Sequence, residues 1–269
     1  MTHLLLTERD ERGVVHLTLN HAAAFNPLSS AMIDALSQAL GVVAADTQAR
    51  VVVLGATGRA FCAGHDLKEM RTLSQVQMAA LFAKCSRLMG QLQALPVPVV
   101  ARVQGLATAA GCQLVAACDL AVASADARFA VSGINYGAFC ATPGVALSRN
   151  VGRKAAMEML LTGEFISAHE ARAKGLVNRV ADVGQLDAEV EALVASILAK
   201  PPTAVAAGKR LFYQQLELGT EAAYQLAGQV MACDLASANG QEGLAAFSEK
   251  RQATWPTDRA GQPTERPRA

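Results

Sequence analysis

Short runs of β-branched and other apolar residues alternate with longer helical segments through the first two-thirds of this chain, and that alternation restricts the fold more than any other feature. Leu4 to Arg9 and Val14 to Leu19 read as two strands joined by a turn over Asp10 to Gly13. Ser29 stands where it can cap a helix whose apolar positions Met32, Leu36, Leu40 and Val43 recur at helical spacing. Val51 to Leu54 is a continuous apolar run, short enough for a strand buried on both faces. A second helical pattern crosses Val76 to Leu95 and stops at Pro96 and Pro98, because the residue before a proline is pushed out of the α region. Strands over Val99 to Val103 and Asp119 to Ala123 follow. Ser167 and Glu170 have the spacing of a capping box on a short helix ended by Lys174 and Gly175. The expected fold class is therefore α/β.

From Leu186 onward only helical patterns remain. We place a boundary near Lys200, giving an α/β core over 1–200, a helical region over 201–255, and a tail over 256–269 whose three prolines and charges predict disorder. With 269 residues, 52% of them apolar, the chain can bury a sizeable core. A net charge of +1 points to neither nucleic acid nor a membrane surface as partner. No apolar run reaches the roughly 18 residues of a spanning helix. Met1 to Asp10 lacks the basic start and apolar run of a signal peptide, so a cytoplasmic location is expected. The six cysteines (Cys62, Cys85, Cys112, Cys118, Cys140 and Cys233) lack metal-site spacing and read as small apolar fillers, with no structural metal.

Two loops of small residues each lie between a strand and a helix: Gly55 to Gly64, continuing to Met70, and Gly105 to Gly111, continuing to Gln113. Backbone N–H groups in the first turn of a helix have no intrahelical partner, so they can point at an anionic oxygen. Two such donors from separate loops can stabilise one oxyanion. The alternative is that these are ordinary strand–helix turns, which small residues favour in any α/β protein.

A series of motifs in order resembles the crotonase (enoyl-CoA hydratase/isomerase) superfamily: Asn26-Pro27-Leu28, Phe61 to Met70, Gly111 to Leu114, Cys118-Asp119-Leu120, Met157 to Glu164, Ile166-Ser167-Ala168, Gly175-Leu176-Val177 and Phe247 to Arg251. Three stretches, Gly64 to Glu69, Ala107 to Gln113 and Cys140 to Leu147, single out one subgroup of it. The resemblance implies a spiral of ββα units with a C-terminal α-helical trimerisation region. It implies a homotrimer or a hexamer built as a dimer of trimers, acting on an acyl-CoA thioester, with no cofactor apart from the coenzyme A carried by the substrate. The implied oxyanion donors are the backbone N–H groups of His65 and Ala110. Ala63, Gly64, Asp66, Leu67 and Lys68 would line the thioester and adenine side of the coenzyme. Phe247 and Lys250 match positions that reach a neighbouring subunit's coenzyme, although Lys250 reads equally as a solvated lysine on a terminal helix.

Hydratases of this family move protons with two glutamates. The resemblance places these at Gln113, which cannot titrate, and at Gly133, which has no side chain. Between Ala101 and Asn150 the only acids are Asp119 and Asp126. His65 could titrate near neutrality, or its ring could merely pack on a helix. Asn135 and Gln113 could orient a water or substrate, and Cys140 would need a base to act as a nucleophile. The residues thus point to an acyl-CoA-binding protein that acts on the thioester through a backbone oxyanion hole. The alternative is a non-catalytic binder or assembly subunit. A serine peptidase finds no Ser-His-Asp constellation here.

Overall fold

The computed structural model describes residues 3–256 and Arg259. Apart from Pro256 and Arg259, the tail expected to be disordered lies outside the described residues.

The hairpin forms as the turn chemistry requires. Strands β1 (Leu5–Arg9) and β2 (Val14–Leu19) pair antiparallel, and the Asp10 carboxylate accepts from the N–H groups of Arg12 and Val14 between them. Helix α1 (Ser30–Ala45) is capped by Ser29, whose hydroxyl accepts from Met32 N–H, and it buries Met32, Ile33, Leu36, Leu40 and Val43. Three pairs of strands follow: β3 (Val51–Ala56) with β4 (Ala60–Cys62), β5 (Val99–Val103) with β6 (Leu106–Thr108), and β7 (Leu120–Ser124) with β8 (Arg128–Ala130). Each pair is followed by helix: α2 (Leu67–Met70) and α3 (Gln75–Ala94), then α4 (Ala110–Ala117), then a 3₁₀ turn over Ser132–Tyr136 with α5 (Ala141–Asn150) and α6 (Arg153–Thr162). Strand β9 (Ile166–Ser167), helix α7 (Ala168–Ala173) and strand β10 (Arg179–Ala181) complete the sheets. Helices α8 (Leu186–Leu198), α9 (Pro202–Gln215), α10 (Thr220–Ala236) and α11 (Ala238–Ser248) come last.

The first strand of each pair joins one sheet, in the order β1-β2-β3-β5-β7-β10, and the second joins another, β4-β6-β8-β9. Each ββα unit thus advances both sheets by one strand, which is the spiral that the resemblance implied. The strands of the larger sheet are parallel from β2 to β10. Strand β3 shows why its sequence is uninterrupted: Val52 and Leu54 enter the main core, while Val51 and Val53 face Leu186, Val190 and Val194 of α8.

The second sheet corrects the reading of the two small-residue segments as loops throughout, because β4 lies in the first and β6 in the second. Each is three residues long, too short for a period of two to register, and the two pair with each other across about 45 residues of sequence.

Helix α9 is tied to the core by a buried charge. Lys209 Nζ donates to Leu92 O, Val97 O and, at 2.6 Å, to Asp119, which also accepts from Tyr213 OH and Val99 N–H. Burial lowers the Lys209 pKa, yet all three of its donors are used. Helix α10 differs: none of its 17 residues is buried within the chain.

Candidate functional site

The first loop is shaped before any functional residue is reached. Asn26 is fully buried, and all its amide capacity goes to the backbone: Oδ1 accepts from His21 N–H, and Nδ2 donates to Thr57 O and Ala60 O. Next to it, Phe25 O accepts from Ala63 N–H, and Leu28 N–H donates to Gly64 O, forming an isolated bridge between Leu28 and His65. Gly64 sits at φ +97, a conformation L side chains rarely adopt. The Asp66 carboxylate caps α2 by accepting from Lys68 N–H and Glu69 N–H. Glu69 in turn accepts from Ser30 N–H at the start of α1. Leu67 and Lys68 are exposed at the rim.

The second loop is pressed against the first. Thr108 Oγ1 donates to Ala63 O at 3.0 Å. A Cβ on Gly111 would lie 2.1 Å from Cys62 O, so only glycine permits that approach. A Cβ on Gly64 would lie 3.1 Å from the methyl of Ala109 and 3.5 Å from Ala110 N. The peptides carrying His65 N–H and Ala110 N–H are therefore neighbours. Among the described residues neither N–H donates to a protein acceptor, whereas Ala109 N–H is bound to Ala130 O and Gln113 N–H to Ala109 O. Ala110 opens α4 and is buried, so its free donor lies in a low-dielectric floor where a hydrogen bond to an anionic oxygen is strong.

The side-chain half of the site is different. Gln113, 4% exposed, lies in the second turn of α4, and its Oε1 has no hydrogen-bond partner among the described residues. The Ala109 bond to Ala130 O brings the end of β8, and hence Gly133, toward the second loop. Position 133 is closed. A Cβ there would lie 2.7 Å from Cys140 Sγ and 2.8 Å from Ala138 O, and Gly133 N–H donates to that sulfur. Burial raises the Cys140 pKa, which holds it as a thiol and disfavours the nucleophile role. Asp119 is committed to Lys209 and Tyr213, and Asp126 lies in an exposed turn where it accepts from Ser124 Oγ. Asn135 is exposed and donates one amide N–H to Gly163 O at the end of α6, at 3.4 Å.

The His65 ring is held by its surroundings. Leu28 O can only accept, so the contact at 2.9 Å places the proton on Nδ1 and leaves the lone pair on Nε2. The ring meets Phe82 of α3 edge-on, at 5.4 Å between centroids. Nε2 is enclosed without a partner among the described residues, and burial lowers the imidazole pKa.

Ala63, Gly64, His65, Asp66, Leu67, Lys68, Ala110 and Gln113 thus gather at the two loops, with Gly133 on the segment leading to α5. Phe247 and Lys250 belong to another part of the chain. Phe247 on α11 is 87% exposed, and Lys250 has no ion pair among the described residues. Lys250 also ends its helix at φ 54, a left-handed conformation that glycine would take more cheaply. Three residues that shape the site carried little sequence signal. Asn26 stands in a motif without an assigned role, Thr108 is one small residue among several, and Cys140 reads as an apolar filler or a nucleophile lacking a base rather than as the plug at Gly133.

The chain matches the model of the family described as enoyl-CoA hydratase/isomerase over residues 9–258. Enoyl-CoA hydratase domain-containing protein 3, mitochondrial, of Xenopus laevis is 45% identical over 248 residues, 92% of this chain and 84% of the relative. The subgroup singled out by the three stretches is the one bearing that name. A crystal structure of an enoyl-CoA hydratase of Mycobacterium smegmatis superposes with a TM-score of 0.94 at 61% identity, covering 95% of this chain and all of the other. The crystal structure of human enoyl-CoA hydratase domain-containing protein 3 gives 0.89 at 42%, over 94% of this chain and 100% of that one. These names correct the expectation of a cytoplasmic location: the frog relative and its mouse and human counterparts are named as mitochondrial proteins, although bacterial proteins also stand among the relatives.

Proposed function

Since the chain belongs to the enoyl-CoA hydratase/isomerase family, we propose that it holds the thioester oxygen of an acyl-CoA between the N–H groups of His65 and Ala110, and that it does not hydrate enoyl thioesters by the two-glutamate route. The closed position 133 carries this reading. A glutamate there would have to push Cβ into Cys140 Sγ and Ala138 O, and its partner position holds an amide. General acid–base groups contribute roughly 10²–10⁴ each, so losing both leaves the oxyanion site without its proton relay. What remains can still stabilise an enolate or tetrahedral anion, since one preorganised donor is worth roughly 10²–10³ in turnover. The Gln113 amide oxygen can accept a hydrogen bond from a ligand, and the His65 lone pair is the one imidazole base at the loops.

A second reading, a non-catalytic acyl-CoA binder or assembly subunit, is favoured by the fixed His65 ring. A base that must take a proton is poorly served by burial that lowers its pKa.

The helical region 201–255 is proposed as the surface that assembles trimers, alone or paired as hexamers. Its support is the exposure of Phe212 on α9, of Leu216 just past its end, and of Tyr224 and Met231 on α10. Lys250 is proposed to meet coenzyme phosphate across that interface.

The test measures binding of a series from acetyl- to palmitoyl-CoA by calorimetry, hydration of crotonyl-CoA, and particle mass by light scattering on one preparation. The expected result is binding without hydration by a trimer or hexamer. Hydration at an ordinary enzymatic rate, about 1–10³ per second, overturns the missing-glutamate argument. No binding anywhere in the series overturns the thioester grip, and a monomer overturns the assembly. Turnover of any other acyl-CoA in the series decides between enzyme and binder.

A further inference from the structure

Ala109 is held at φ 48 and ψ −117, a backbone conformation in which an L side chain is strained. The conformation is locked from both sides, because its N–H donates to Ala130 O at 2.9 Å and its carbonyl accepts from Gln113 N–H at 3.0 Å. Glycine would make both backbone bonds without strain, so the methyl itself needs an explanation.

Its position supplies one. His65 N is peptide-bonded to Gly64 and Ala110 N to Ala109, so each donor hangs from one member of a touching pair. A Cβ on Gly64 would lie 3.1 Å from the Ala109 methyl and 3.5 Å from Ala110 N. The gap between the two peptides thus holds one methyl and no more, and that methyl belongs to Ala109. We infer that Ala109 is a positioning residue: its side chain is the spacer that sets the separation of the His65 and Ala110 N–H groups, and the strained backbone is retained to place it there. The inference rests on the reading of those two groups as the grip on a thioester oxygen.

The remaining ties between the loops, Thr108 Oγ1 to Ala63 O and Gly111 against Cys62, hold the segments together without fixing that separation. Removing the methyl therefore keeps both backbone bonds of residue 109 and takes away the stop against Gly64, so the first loop and its His65 N–H close on the second. A displacement of the order of 1 Å at a reacting centre costs up to about 100-fold, so a tenfold effect is well within range.

The experiment compares the parent, Ala109→Gly and Ala109→Ser, following thermal unfolding and the affinity for butyryl-CoA relative to S-butyl-CoA, which lacks the carbonyl oxygen. Ala109→Gly is expected to raise Tm by about 2–4 °C through relief of strain, while the preference for the thioester falls about tenfold. Ala109→Ser keeps the Cβ and should restore the parent's preference. An alanine with a merely structural role would not move stability and carbonyl recognition in opposite directions. An unchanged thioester preference in Ala109→Gly, or a lower Tm, overturns the spacer role while leaving the thioester grip standing. A parent that shows no preference for butyryl-CoA over S-butyl-CoA overturns the grip, and the spacer role with it.

Discussion

The donor loops, Ala63 to Asp66 and Thr108 to Ala110, and the segment from Gly133 to Cys140 are held in place by different means. The donor loops are held by backbone: Leu28 pairs with Gly64, Ala109 with Ala130, and buried Asn26 ties the approach to β4. On the proposed reading their chemistry is an N–H group that every residue except proline possesses, so the grip depends little on which side chains stand at 65 and 110. The segment at 133 is held through a side chain instead: Cys140 Sγ fills the space beside Gly133 and accepts from its N–H at 3.1 Å. A site made of backbone groups depends on loop geometry more than on residue identity, whereas a site made of a side chain depends on the one residue that supplies it.

The largest expected effect comes from breaking the donor side. Ala110→Pro removes one N–H at the first position of α4, where proline's φ is acceptable to a helix. Turnover should fall by roughly 10²–10³, or acyl-CoA binding should be lost if the protein only binds. Circular dichroism and particle mass must match the parent for the result to count. Parent-like binding by a well-folded Ala110→Pro would remove this loop from the site.

A middle-sized effect sharpens the other side. Gly133→Ala forces a methyl against Cys140 Sγ and Ala138 O, and overpacking of this kind costs about 1–3 kcal/mol in stability, read by denaturant unfolding. Adding Cys140→Ala should recover part of that loss, because it removes one of the two collisions. The pair Gln113→Glu and Gly133→Glu should fail to create crotonyl-CoA hydration. Its appearance would mean that the segment opens easily and that the plug is not a barrier.

The smallest effect concerns the one imidazole on the donor loops. His65→Ala keeps the N–H and should cost under tenfold in acyl-CoA affinity, less than about 1.4 kcal/mol. A loss near 100-fold in turnover with unchanged binding would make the ring a proton carrier. Because burial lowers its pKa, the folded chain binds this proton less readily than the unfolded chain, whose value is about 6.5. Below that value the unfolded state holds more protons, so stability is lost as pH falls toward the folded pKa. The Tm of His65→Gln should therefore decline less than the parent's between pH 6.5 and 5.

Much of the fold was legible along the chain. Ser29 and the capping box of Ser167 and Glu170 are local hydrogen-bonding patterns, and both caps form as written. The runs of β2, β3 and β5 announce strands because apolar burial leaves a pattern within a few residues. The family order of motifs likewise pointed to the two loops and to the residues at 113 and 133. What the chain alone could not disclose depends on contacts between segments far apart in sequence. Strands β4 and β6 pair with each other across about 45 residues, and the Ala109 methyl stands where a Cβ on Gly64 would crowd it; even position 133, closed by a sulfur seven residues on, is set by how the chain turns back and not by a local pattern. Local propensity and periodicity are properties of neighbours in sequence, while steric exclusion between loops is a property of neighbours in space. Only the tertiary structure decides the second.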